Sequence, residues 1–124
     1  MNKFTVGIIG AGQAAMEMLQ QLASADFVDI VGIADMNKDA PGIALAHRHN
    51  IPTTTDMKEI LEKGEQLDIL IDVTGVKRVR DSLRQHMQDS GNHHTVIMHE
   101  RISALLISLA KGKLVDMKAS DDDY

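Results

Sequence analysis

Near its start the chain runs from an apolar strand through Gly10-Ala11-Gly12 directly into a helix, and no other feature of the sequence restricts the possible folds as tightly. Phe4-Thr5-Val6-Gly7-Ile8-Ile9 is almost continuously apolar and bounded by glycine, as expected of a strand covered on both faces of a parallel sheet. Beyond the turn, Met16, Leu19, Leu22 and Ala23 recur at helical spacing, so strand gives way to helix at Gly12. A first strand ending in a glycine turn and a helix is the opening of a βαβ unit, and the helix it starts presents free amide hydrogens to whatever lies above the strand tip.

The remaining segments continue the alternation. Asp29 to Ala34 reads as a second strand ending at Asp35, and Asp39-Ala40-Pro41-Gly42 as a helix start with Pro41 in the first turn. Thr53 to Thr55 is expected to form a short third strand. Asp56 and Glu59 stand at capping-box spacing for a small helix from Met57 to Lys63, ended by Gly64. Leu67 to Val73 predicts a fourth strand leading to Thr74-Gly75. Lys77 to Ser90 predicts a helix with Val79, Leu83, His86 and Met87 inward, stopped by Gly91-Asn92. Thr95 to Met98 supplies a fifth strand, Ser103 to Lys111 a last helix, and Lys113 to Lys118 a sixth short strand. Strands and helices alternating in this way need right-handed crossovers. The expected fold class is therefore α/β, a doubly wound, mostly parallel sheet of the Rossmann kind in a single domain over 1–118, with 119–124 as an acidic tail.

Composition narrows the partners. At 124 residues the chain has room for one core and none for a second, substrate-binding domain. Eighteen acidic against 13 basic side chains give a net charge of -5, and no basic stripe exists to follow a phosphate backbone, so nucleic acid is not an expected partner. The absence of cysteine excludes disulfides and thiolate chemistry. The apolar run at the amino terminus is too short for a signal peptide or a membrane span, which makes a cytoplasmic location the default expectation. Eight methionines and few aromatics indicate a core filled by aliphatic and thioether side chains.

Gly10-Ala11-Gly12-Gln13-Ala14-Ala15 has the G-x-G-x-x-A form of the dinucleotide fingerprint. In it Gly10 permits the tight turn, Gly12 lets backbone approach a pyrophosphate, and Ala15 lets helix and strand pack closely. The amides that open the helix, at Gln13 and Ala14, then meet the phosphates with the positive end of its dipole. Asp35 lies about 20 residues further on, at the end of the second strand, where a carboxylate accepts the adenosine ribose hydroxyls and repels a 2′-phosphate. NAD is thus the expected cofactor in preference to NADP, although Asn37 and Lys38, close behind Asp35, could soften that exclusion. Thr74 and Gly75, at the end of the fourth strand, leave room for the pyrophosphate or the nicotinamide ribose, and turn chemistry alone would also explain that glycine. The expected cofactor-binding set is Gly10, Gly12, Gln13, Ala14, Asp35, Asn37, Thr74 and Gly75.

These stretches, together with Val31 to Asp35, Asp68 to Gly75 and Val96 to Arg101, resemble the amino-terminal cofactor domain of the Gfo/Idh/MocA-type oxidoreductases and their relatives among homoserine and aspartate dehydrogenases. The resemblance implies an oxidoreductase ancestry. In the Gfo/Idh/MocA group the fifth strand is followed by Glu-Lys-Pro, whose lysine moves the substrate proton, but this chain reads Glu100-Arg101-Ile102. Arginine keeps its proton at any working pH, so the carry-over fails at its central residue.

The six histidines show no helical i, i+4 pair and predict no metal site. His99 closes the fifth strand at the ligand edge, where it could exchange a proton at neutral pH, the plain alternative being a polar strand-end residue. It is the one catalytic candidate. Two functions are compatible with these residues: an NAD(H)-binding domain of oxidoreductase ancestry without a complete catalytic site of its own, or a non-catalytic nucleotide-sensing or coenzyme A-binding module. The open edges of an isolated sheet and the apolar helix from Ile102 to Leu109 suggest a homodimer or a partner subunit that supplies a substrate site.

Overall fold

The computed structural model describes residues 2–115. Five parallel strands form one sheet: β1 (Phe4–Ile9), β2 (Val28–Ala34), β3 (Thr53–Thr54), β4 (Ile69–Asp72) and β5 (Val96–Met98). Their spatial order is β3-β2-β1-β4-β5, the doubly wound order in which the chain steps outward from β1 on one side and then returns to build the other. The reversal falls between β1 and β4, and doubly wound sheets take their ligands at the carboxyl ends of the strands beside such a reversal.

Helices α1 (Gln13–Ala23), α2 (Pro41–Arg48), α3 (Lys58–Leu61), α4 (Lys77–Ser90) and α5 (Glu100–Lys111) connect the strands. On one face, Val6, Ile8, Ile33 and Ile71 pack with Ala15, Met18, Leu19, Ile43 and Ile107 from α1, α2 and α5. On the other, Ile9, Ala34 and Leu70 pack with Ile60, Leu61, Val79 and Leu83 from α3 and α4. Strands covered on both faces explain the unbroken apolar runs of the sequence.

The differences from expectation are local. β4 begins at Ile69 rather than Leu67, because a 3-10 turn at Gly64–Gln66 carries the chain further before pairing starts. Of the capping box, the structure keeps the bond from the Lys58 N–H to Asp56 Oδ1 at 3.0 Å, with no return bond from Glu59 among the described residues. The last helix starts at Glu100, earlier than Ser103. It buries Ser103 and Ile107 and leaves Leu105, Leu106 and Leu109 about half or more exposed. The sixth strand expected over 113–118 falls partly outside the described residues and the acidic tail wholly so; residues 113–115 carry no strand.

Candidate dinucleotide cradle and an Asp-His pair

The turn after β1 is built from three sides. Gly10 adopts φ 103°, a conformation that side chains rarely take, and a Cβ there would sit 3.2 Å from both Thr74 Cγ2 and Val73 Cγ2. Its N–H donates to Ala34 O at 2.7 Å, which fastens the turn to β2. The Ala11 N–H donates to Asp35 Oδ2 at 2.8 Å, and Ala11 O accepts the Gly42 N–H at 2.6 Å. A Cβ on Gly42 would meet that same oxygen at 2.6 Å, so the start of α2 presses on the turn as only glycine allows.

Gly12 answers to none of these demands. Its φ of -74° suits any residue, and a Cβ added to it meets nothing within 4 Å. It is the N-cap of α1 and offers no side chain to close the helix end. Among the described residues the N–H groups of Gly12, Gln13 and Ala14 find no protein acceptor, whereas Ala15 N–H turns back to Gly12 O at 3.0 Å. Gly12 and Ala14 are partly exposed and Gln13 is exposed, so this helix start lies at the surface. Such a helix start attracts an anion through both its unpaired donors and its dipole.

Asp35 stands where the sequence places it, at the end of β2, but its side chain is turned inward. Only 3% exposed, it accepts from Ala11 N–H through Oδ2 and from Asn37 N–H through Oδ1 at 2.8 Å. Asn37 is exposed and its own Oδ1 accepts the Asp39 N–H at 3.0 Å. Thr74 is buried, and Gly75 takes a left-handed φ of 68°.

Periodicity and motif spacing gave no sign of Asp72, the last residue of β4, which lies beside Ile9 in the register of β1 and β4. Asp72 is 2% exposed. Its Oδ1 accepts from both the N–H and the hydroxyl of Thr74, at 3.0 and 2.7 Å, and the Thr74 oxygen in turn accepts the Val76 N–H at 3.1 Å. Its Oδ2 lies 2.9 Å from His99 Nδ1. β5 stops at Met98, and His99 follows it as the N-cap of α5. The backbone of His99 is tied down by Ser103, whose N–H and hydroxyl both donate to His99 O, at 3.1 and 3.3 Å.

The other histidines stand apart from this edge. His94 pairs with Asp68 at 2.8 Å and His47 with Thr53 at 3.1 Å. No group of three His, Asp or Glu side chains is placed to hold a metal among the described residues. Nor is any described helix long and apolar enough to cross a membrane.

No protein-family model matches the chain. An acetaldehyde dehydrogenase from Carboxydothermus hydrogenoformans is 25% identical over 76 residues, which cover 61% of this chain and 25% of that protein. Among solved structures, a Desulfitobacterium hafniense protein provisionally assigned as an NADPH-dependent oxidoreductase aligns with a TM-score of 0.63 and 18% identity, over 91% of this chain and 34% of that one. GenD2 of gentamicin A biosynthesis, solved with NAD, aligns at 0.59 and 16%, over 80% and 34%. A variant of KijD10, a 3-ketoreductase from Actinomadura kijaniata solved with TDP-benzene and NADP, aligns at 0.57 and 18%, over 92% and 38%. The chain thus spans about a third of the length of these structures and a quarter of the curated relative. What the likeness establishes is the fold: a five-stranded, all-parallel α/β sheet of the Rossmann kind.

Proposed function

We infer that this chain binds a nicotinamide dinucleotide, with the pyrophosphate seated on the Gly12, Gln13 and Ala14 amides. The observation that carries this reading is the empty space over Gly12. Neither backbone conformation nor packing requires glycine there, so the missing Cβ is accounted for by something that comes close from outside. The amides of Gln13 and Ala14 fit a diphosphate, and the crevice between β1 and β4 is where a doubly wound sheet takes its ligand.

The adenosine half then lies toward β2, with its ribose near Asp35. Each Asp35 oxygen already accepts one backbone N–H and keeps capacity for a second donor. The negative charge favours NAD over NADP, and Asn37 stands at the same strand end, its N–H on Asp35 Oδ1. Gly75 and Thr74 border the nicotinamide half. The proteins that align over most of this chain and were solved with NAD or NADP support a nicotinamide cofactor without choosing between the two.

The chain acts in this reading as the cofactor domain of an oxidoreductase, and the substrate site is completed by a second copy. The apolar stripe of Ile102, Leu105, Leu106 and Leu109 on α5 is the surface proposed for that contact.

Calorimetric titration of the purified chain with NADH, NADPH and coenzyme A tests the assignment. NADH is expected to bind best, and Asp35→Ala to weaken it at least about tenfold, the value of one charge-assisted hydrogen-bond pair. Tight binding of coenzyme A without NADH would replace the oxidoreductase reading with the sensor or coenzyme A module. Unchanged NADH affinity in Asp35→Ala would remove the ribose contact.

A further inference from the structure

The mechanism-bearing group that the cofactor reading leaves unused is the pair formed by Asp72 and His99. A carboxylate can only accept, so His99 Nδ1 must carry the hydrogen that meets Asp72 Oδ2 at 2.9 Å. The neutral ring is thereby fixed as the Nδ1–H tautomer, and its lone pair is left on Nε2. Nε2 has no partner among the described residues, yet none of their buried side-chain nitrogens or oxygens lacks a hydrogen bond. Nε2 therefore reaches solvent, consistent with a His99 side chain that is 21% exposed. The ring is held by Asp72 on one side and its backbone by Ser103 on the other, and Asp72 is itself held by Thr74. A carboxylate at the far nitrogen, a fixed ring and an open near nitrogen make the arrangement that orients a histidine for proton transfer.

Its place in the fold matches that use. Asp72 pairs with Ile9, the residue before the glycine turn, and β5 lies beyond β4. A dinucleotide with its pyrophosphate on the turn and its adenosine toward β2 extends its nicotinamide half toward β4 and β5. We propose that His99, positioned by Asp72, is the acid-base group of this site and serves the interconversion of an alcohol and a carbonyl compound by the nicotinamide cofactor. In the oxidative direction the hydroxyl proton passes to Nε2, the hydride on the same carbon passes to C4 of the oxidised nicotinamide, and the carbon-oxygen bond becomes a carbonyl. The imidazolium returns the proton in the reverse direction. The proposal rests on the cofactor reading above.

The charged groups around His99 are Asp72 of β4, Glu100 and Arg101 of α5, and Arg80 of α4, which stands 3.9 Å from Glu100. The turn after β1 contributes none. The open Nε2 gives a test that needs no substrate. On the intact chain, titration with NAD+ and with NADH is expected to shift the His99 Nε2 resonance in nitrogen-15 spectra while the Nδ1–H that meets Asp72 stays in place. His99→Gln should bind NADH within about twofold of the native chain and lose the resonance that moves, which assigns it to this ring. Nitrogen-15 spectra of the ring should show the Nδ1–H tautomer, and Asp72→Asn should mix the two tautomers.

If the Gly12 and Gln13 amides respond to both dinucleotides while the His99 Nε2 resonance responds to neither, the proposal falls and the cofactor reading stands. If those amides respond to neither dinucleotide, both fall. An unchanged tautomer in Asp72→Asn would remove Asp72 from the role.

Discussion

The glycines around the first turn meet three different demands, and substitution should separate them. Gly12→Ala adds a Cβ to open space, so thermal unfolding should stay within about 0.5 kcal/mol of the native chain. NADH affinity should meanwhile fall at least about tenfold, because the methyl occupies the place proposed for phosphate. Gly10→Ala forces a side chain into a φ of 103° against Thr74 and Val73, and should cost about 1–3 kcal/mol in stability whether or not ligand is added. Thermal scans with and without NADH check both. The sequence made Gly10 and Gly12 readable because their demands are local to a strand-helix junction. It concealed Gly42, whose need for glycine comes from the Ala11 carbonyl of another loop. It concealed Asp72 for a similar reason: its partner His99 lies 27 positions away, and only the adjacency of β4 and β5 brings the two together.

Among the elements, the placement of α3 depends on an absence of side chains beneath it. Gly7 of β1 and Gly32 of β2 are paired in register, and a Cβ on Gly7 would lie 2.7 Å from Ile60 Cγ2. Ile60 is 2% exposed and occupies the trough between these glycines. Gly7→Val should therefore destabilise by about 1–3 kcal/mol through overpacking. Combined with Ile60→Ala, it should cost less than the sum of the two single changes, as contacting residues do; denaturant unfolding of the four proteins reads this directly. The alternation of elements was legible from periodicity, since strands covered on both faces and amphipathic helices leave distinct patterns. The start of α5 was not. Alternation places the helix at Ser103, and it begins at Glu100 because His99 and Ser103 bond across its first turn. The sequence shows the helix from Ile102 to Leu109 as apolar but not which of its positions turn inward; Ser103 and Ile107 do, and Leu105, Leu106 and Leu109 stay exposed.

For the molecule as a whole, the opposite edge of the sheet sets the response to acid. Asp68 accepts the Thr5 N–H at 2.9 Å and faces His94. The Thr5 hydrogen bond first, and His94 second, hold its carboxyl below the usual aspartate range. A carboxyl depressed in the folded state stabilises above its unfolded pKa of about 4 and loses that contribution as the pH drops through the lower folded value. The melting temperature of Asp68→Ala should accordingly fall less steeply than that of the native chain below about pH 4; parallel curves would refute the assignment. At neutral pH the exposed stripe on α5 should drive concentration-dependent self-association in sedimentation velocity, and Leu105→Glu with Leu109→Glu should leave monomer at every concentration tested.

The inward turn of Asp35 bears on how this domain could change its ligand. One carboxylate closes the β2 end and also grips the Ala11 amide, so in the proposed reading any replacement that welcomes a 2′-phosphate also lets go of the loop proposed to hold the diphosphate. In that reading cofactor preference and loop rigidity are wired to a single side chain. A successful switch to the phosphorylated dinucleotide would need a second substitution that supplies Ala11 with a new acceptor.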